Sequence, residues 1–355
     1  MKLKTVLFVT LTIISLLLAS CTPAAPAQTQ APAATDAAAA PAAVKKVRVG
    51  VSWDEKAIPL IQAWEDYMKA EAAKAGPANG LDFEFVINVA NLDPTRQAAN
   101  IEDLIQQKVD IIMARAKDGT AIGASIRAAS DANIPFVVFD RKSLTEEQGT
   151  AYVGGDSYDQ GKVTAEGLAK VLKEKNIVGK CIEVMGDLKD NNAVLRSKAF
   201  NDVAKATGQY SVLVQVPTEW NPELFKSGIT NALQAHPEAD CLFLASDFAW
   251  SSVQSALESQ GRWAKKGEAN HIITATCDLF PDALVAMKAG YIDVTTIWDA
   301  YMQAKELVKV LVAVAKGEDP GCGKDGCLAK GRTVTQDTLK DVPFIWADDY
   351  ANWKP

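Results

Sequence analysis

From about residue 46 onward, short apolar runs alternate with longer stretches whose apolar residues recur every three or four positions. The runs at 46–52, 83–89, 109–114 and 135–139 are rich in Val, Ile and Phe and too short for helices, so they read as strands buried on both faces. Each is followed by a helical stripe: Ile61, Trp64 and Met68; Ile101, Leu104 and Ile105; Ile122, Ile126 and Ala129. After Tyr152-Val153-Gly154-Gly155-Asp156 the pattern restarts, with strands at 181–185, 212–216, 241–245, 272–276 and 294–297. Its helices carry Leu168 and Val171, Ala199 and Val203, Ile229 and Leu233, and Val253 and Leu257. The alternation predicts an α/β protein of two doubly wound parallel-sheet lobes in series, with a hinge and a central cleft. The expected division is 45–143 plus about 299–320 for the first lobe and 144–298 plus about 321–355 for the second, with crossovers near 141–151, 277–300 and 318–342.

What each strand ends in suggests the chemistry. Ser52 leads to Trp53-Asp54, Ala114 to Arg115, Phe139 to Asp140-Arg141, and Met185 to a loop ending in Asp190-Asn191-Asn192. Ala245 leads to Ser246-Asp247, Thr276 to Cys277-Asp278 and Ile297 to Trp298-Asp299. In open α/β sheets ligands bind outside the carboxyl ends of the strands, so two facing sheets would direct these groups at one ligand. A carboxylate accepts from vicinal hydroxyls and a guanidinium donates to their oxygens, which suits a polyol better than an anion. Trp53, Trp220, Trp250, Trp298 and Phe248 offer flat faces for the C–H surface of a sugar ring, whereas Trp64 lies on a helical stripe and reads as core. Asp54, Asp140, Asp247 and Asp278 also stand where helix N-caps are expected, and Arg196, near the start of a helix, is within reach of the cleft.

The amino terminus differs from the body. Lys2 and Lys4 precede an apolar run at 6–18 and then Leu18-Ala19-Ser20-Cys21, the pattern of a secretory signal. Residues 22–44 are mostly Ala, Pro, Gln and Thr, which bury too little surface to offset ordering, so a disordered tether is expected. The formal charge of −7 becomes −9 without Lys2 and Lys4, because no acid precedes Cys21, and an acidic body argues against nucleic acid. Cys322 and Cys327 flank Gly-Lys-Asp-Gly and are expected to form a disulfide. Cys181 and Cys241 each begin an apolar strand, leaving a bridge or two buried thiols open, with Cys277 left over. His236 and His271 are the only histidines, so neither a metal site nor a cofactor is expected. The first strand leads into Val-Gly-Val-Ser-Trp-Asp with no G-x-G-x-x-G after it, so the dinucleotide fingerprint is absent there, and G-x-S-x-G and H-E-x-x-H are missing. A glycosidase would need one acid kept protonated in an apolar pocket, and each candidate here has polar or basic neighbours, so no enzyme is expected.

The chain resembles the periplasmic sugar-binding proteins of ABC importers, in the ribose, galactose and xylose group. The carriers are Phe139-Asp140-Arg141, Val153-Gly154-Gly155-Asp156 with Gly161, Asp190-Asn191-Asn192 followed by Arg196, Ser246-Asp247, Cys277-Asp278 and Pro281-Asp282-Ala283-Leu284. It is most similar to the xylose-binding branch through Asp190-Asn191-Asn192, Trp220-Asn221-Pro222-Glu223 and Leu339-Lys340-Asp341-Val342-Pro343. The resemblance implies a type I binding-protein fold and a monosaccharide, a pentose or aldohexose, held between the lobes by Asp140, Arg141, Asn192, Trp220, Asp247 and Asp278. The strand ends and the helix after Asn192 add Trp53, Asp54, Arg115, Asn191, Arg196 and Trp298 to the expected ligand contacts. It further implies delivery of the sugar to an ABC permease by a monomer on the periplasmic or extracellular side; a sensing receptor subunit is the alternative. The segment before Cys21 resembles a bacterial lipobox, which implies a diacylated Cys21 as the only membrane attachment.

Overall fold

The structure, a computed structural model, describes residues 44–323 and 325–353. The expected signal segment, Cys21 and nearly all of the expected tether lie outside the described residues.

The first lobe begins with β1 (Lys45–Trp53), α1 (Pro59–Ala78), β2 (Leu81–Val89), α2 (Pro94–Gln106), β3 (Ile111–Ala114), α3 (Ile122–Asp131), β4 (Phe136–Phe139) and β5 (Ala151–Gly155). The second contains α4 (Ser157–Glu174), β6 (Gly179–Met185), α5 (Asn191–Thr207), β7 (Tyr210–Pro217), α6 (Pro222–Ala235), β8 (Cys241–Leu244), α7 (Trp250–Ser259), β9 (Ile273–Asp278), α8 (Pro281–Ala289) and β10 (Val294–Ile297). The chain then runs through α9 (Ala300–Lys316), β11 (Cys327–Ala329), β12 (Arg332–Val334) and α10 (Trp346–Asp349). The sheet orders are β11-β5-β4-β3-β1-β2 and β12-β10-β9-β8-β6-β7, and every pairing is parallel except β12 on β10. All residues of β3, β4, β8 and β10 are buried, as expected for strands covered on both faces. In each sheet the strand order reverses beside the first strand of the lobe, the position at which doubly wound sheets open a crevice.

Two of the expected lobe assignments change. Ala151–Gly155, assigned to the second lobe, pairs with β4, so the first crossing falls at Asp156 and not at 141–151. Within the segment from 321 onward, Cys327–Ala329 pairs with β5 in the first sheet and only Arg332–Val334 joins the second. Strands of five and three residues carry too little periodic signal to reveal their sheet. The second crossing lies at Trp298-Asp299 and the third at Lys330-Gly331. The first and third are fastened together: the Asp156 amide donates to the Ala329 carbonyl at 2.8 Å, and Lys330 Nζ lies 3.1 Å from the Asp156 carboxylate. The tail also spans both lobes, since Trp346 packs edge-on to Phe280 while Tyr350 and Trp353 pack against Tyr67 of α1.

Cys181 at the start of β6 is bonded to Cys241 at the start of β8, Cys322 is bonded to Cys327, and Cys277 is a buried free thiol. Far from the crevice, His271 pins the chain before β9 to the chain before β10. Its Nε2 lies 2.8 Å from Asp293 Oδ2 and its Nδ1 2.8 Å from the Ala264 carbonyl. Burial disfavours the charged ring, but Asp293 and the carbonyl outweigh it and raise its pKa above the ordinary 6.5. A group whose pKa is raised by folding stabilises fully below its unfolded value and loses that contribution as pH rises through the folded one. The melting-temperature gap between wild type and His271→Gln is therefore expected to be larger at about pH 5.5 than at about pH 9. Equal gaps would mean that the pair carries no charge.

Candidate ligand-binding site

The strand ends of the two sheets meet at a crevice. Its polar wall is three guanidiniums, each held by carboxylates. Arg115 donates from Nε to Asp140 Oδ2 at 2.7 Å and from Nη1 to both oxygens of Asp54 at 2.6 and 2.7 Å. Arg141 donates from Nη1 to Asp54 Oδ2 at 2.9 Å, and its Nε lies 2.8 Å from Asp190 Oδ2, out of line for a good hydrogen bond. Arg196 reaches Asp278 with both terminal nitrogens, at 2.8 and 3.3 Å. All of these groups are at least nine-tenths buried. Burial disfavours the Arg115 cation, but Asp54 and Asp140 more than offset this and hold its pKa above the ordinary value. Burial pushes the Asp140 carboxyl up against the opposing pull of Arg115 and Arg141.

The network crosses from lobe to lobe. Asp140 and Arg141 follow β4, whereas Asp190 is the N-cap of α5, its side chain accepting from the Asn192 amide. Ser157 donates to Asn192 Oδ1 at 2.7 Å, which turns Asn192 Nδ2 toward the Asp140 carbonyl at 3.1 Å. Lys117 pairs with Asp187 at 3.0 Å, and the Gly119 amide donates to the Lys189 carbonyl. Among the described residues, Nη2 of Arg115 and of Arg141 has no protein partner, and Asp140 Oδ1 meets only Asn192, at 3.4 Å. Donors and an acceptor therefore remain for a guest.

Aromatic rings cover the rest: Trp64, Trp220, Phe248, Phe280 and Trp298. Arg115 lies over Trp64 and Arg196 over Trp298. Trp220 Nε1 donates to Asp190 Oδ2 at 2.9 Å, which fixes the indole plane. Two glycines make room for the indoles: a Cβ on Gly155 would lie 1.8 Å from Trp298, and one on Gly186 2.0 Å from Trp220. Asp140, Trp220 and Asp278 have positive φ of 60°, 55° and 96°. Such non-glycine backbone costs about 1–3 kcal/mol per residue and persists where the surroundings enforce it.

Of the residues expected from sequence, Arg115, Asp140, Arg141, Asn192, Arg196, Trp220, Phe248, Asp278 and Trp298 line the crevice. The others do not. Trp53 is still within β1 and points into the first-lobe core, with Nε1 on Glu65 and its ring against Phe139. Asp54 stands behind the wall as the shared anchor of Arg115 and Arg141. Asn191 is the first residue of α5 and lies outside the lining. Asp247 is turned into the second lobe, where it accepts from Thr276 and from the Leu279 and Phe280 amides and shapes the loop after β9. Burial, with Asp278 nearby, pushes its carboxyl up to about 8. Trp250 is buried beside Trp263. Trp64, read as core, is buried in the core edge-on to Phe139 and also reaches the crevice wall, because the first turns of α1 begin at the strand-end surface. Sequence reasoning also missed Asp190, Ser246, Glu55, Ile58, Leu60 and Phe280. For Asp190 the signal was present, as an N-cap acid before a helix at a strand-end loop.

Two α/β lobes linked by three adjacent crossings, with buried charged and aromatic groups converging between them, define a two-lobed binding protein with its site between the lobes. The chain belongs to the periplasmic binding protein domain family, which matches residues 49–319. A protein of Rhizobium meliloti to which rhizopine binding is ascribed is 29% identical over 275 residues, 75% of this chain and 82% of that protein. The ribose import binding protein of Escherichia coli is 24% identical over 237 residues, 67% of this chain and 74% of that protein. Among solved structures, an ABC transporter solute-binding protein of Bacillus halodurans with bound myo-inositol superposes with a TM-score of 0.73 at 28% identity, covering 84% of this chain and 97% of that one. Members of the family bind substrates rather than transform them, and membership implies an extracytoplasmic location.

Gly155→Ala and Gly186→Ala are each expected to lower stability by about 1–3 kcal/mol, the usual cost of overpacking, and to red-shift tryptophan emission as the indole is displaced. Thermal unfolding and fluorescence check this; unchanged values for both variants would mean that the indoles are not seated on these glycines.

Proposed function

We propose that the protein captures a polyhydroxylated ring, a monosaccharide or cyclitol, between its lobes and delivers it to an ABC permease. The observation that carries this reading is the crevice wall of guanidinium–carboxylate pairs facing aromatic rings. Hydroxyl groups can donate to Asp140 while accepting from Arg115 and Arg141, and the C–H faces of a ring match indole surfaces. The wall offers no surplus positive charge: three guanidiniums stand against Asp54, Asp140, Asp190 and Asp278, which disfavours an anionic ligand. The proposed ligand contacts are Arg115, Asp140, Arg141, Asp190, Asn192, Arg196, Trp220, Asp278 and Trp298. The relatives named for ribose and rhizopine, and the neighbour holding myo-inositol, support a polyol of this size. The similarity to the xylose-binding branch adds D-xylose to the candidates. A lipid on Cys21, with residues 22–44 as tether, would hold the protein, acting as a monomer, beside its permease.

A thermal-shift screen with D-xylose, D-ribose, D-glucose and myo-inositol is expected to raise the melting temperature with at least one of them. Asp140→Ala is expected to weaken that ligand by about 2–4 kcal/mol in calorimetry, because it removes a hydroxyl acceptor and leaves Arg115 underpaired. Unchanged affinity would exclude Asp140 from ligand contact.

A further inference from the structure

Within the crevice one acid stands apart. Asp140 is used by Arg115, Asp278 by Arg196, Ser246 and Gln160, and Asp190 by Arg141 and Trp220. Glu55, in the loop between β1 and α1, lines the same cavity; among the described residues it has no basic group within 4.0 Å and no hydrogen-bond donor. The charges around it do not balance either. The three guanidiniums are already outnumbered by Asp54, Asp140, Asp190 and Asp278, and Glu55 adds a further negative charge. Burial, and next the neighbouring Asp54, push the Glu55 carboxyl up, against a weaker opposing pull from Arg115, Arg141 and Lys117, none of which is in ion-pair contact with it. Trp64 and Trp298 already carry guanidiniums, whereas Phe248 and Phe280, which line the same cavity, carry no cation. An unpaired carboxylate in a cavity with free aromatic rings is the chemistry that receives an ammonium group.

We propose that Glu55 makes the crevice selective for a polyhydroxylated ring bearing a protonated amine, an amino sugar or aminocyclitol, and that its carboxylate receives the ammonium group. This rests on the polyol reading above and narrows it. The arginine pairs bind the hydroxyl edge, while Glu55 discriminates by charge at the rim nearest Ile58 and Leu60. An N–H⁺ donor would supply the missing counter-charge without displacing any existing pair.

Calorimetry on the full mature chain with two matched pairs, D-glucose against D-glucosamine and myo-inositol against an aminodeoxyinositol, tests this. In a pair that binds, the amine is expected to bind roughly tenfold tighter or better, the scale of one charge-assisted hydrogen bond. Glu55→Gln is expected to abolish most of that preference, and Glu55→Asp to retain part of it. The readout is the ratio within each pair, so a general loss of affinity does not mimic the effect, and replacing a partly buried loop residue without protein partners is expected to leave folding intact. Binding of the neutral members with no preference for the amines, or a preference that survives Glu55→Gln, would overturn the role of Glu55 and leave the polyol reading standing. Failure of both pairs and of all four screened polyols to bind would overturn the polyol reading and this inference with it.

Discussion

The structure depends on the pairing of Arg115 and Arg141 with Asp54, Asp140 and Asp190. Each charge is buried, and an isolated buried charge would cost several kcal/mol, so none is tolerable alone. Asp54 can anchor both guanidiniums because β1 and β3 are neighbours, with Ser52 in register with Ala114, and the residues that follow them emerge together. Asp190 belongs to the other lobe, so Arg141 has both of its carboxylates, Asp54 and Asp190, beside it only when the lobes meet. Closure is thereby written into the electrostatics of the site as well as into the crossings.

The second lobe repeats the device with other residues. Asp278 is the last residue of β9 and Asp140 the first after β4, both with positive φ, and each holds an arginine supplied from elsewhere, Arg196 from α5 or Arg115 from the end of β3. Glycine at the end of β5 and after β6 lets an indole lie flat on the strand end, so the rings and the ion pairs share one surface. The crossing at Trp298-Asp299 passes directly over Gly155, so a wall residue of the site is also part of the hinge. A guest touching Trp298 therefore touches a segment that joins the two lobes.

The alternation of strand and helix was legible because parallel sheets need continuous apolar runs, and the polar strand ends were legible because topology puts them on one edge. Parity decided the failures. Trp53 belongs to the last strand position, whose side chain faces inward, and Asp54 is the first residue past it, so the pair splits between the core and the back of the wall. Asp247 lies beyond the end of β8 and Asp278 ends β9, yet only Asp278 faces the crevice, because the loop after β9 folds back on Asp247. Asp190 paired with Arg141, and Lys117 with Asp187, join residues from different lobes, which no local pattern encodes.

The account stands or falls on ligand-linked closure, since a guest that contacts both lobes must favour the state in which both walls are present. Small-angle scattering on the protein with and without a saturating polyol, chosen by its thermal shift, measures this directly. A smaller radius of gyration in the presence of the ligand is expected. Saturated binding with an unchanged scattering profile, from an open or a closed form alike, would contradict it.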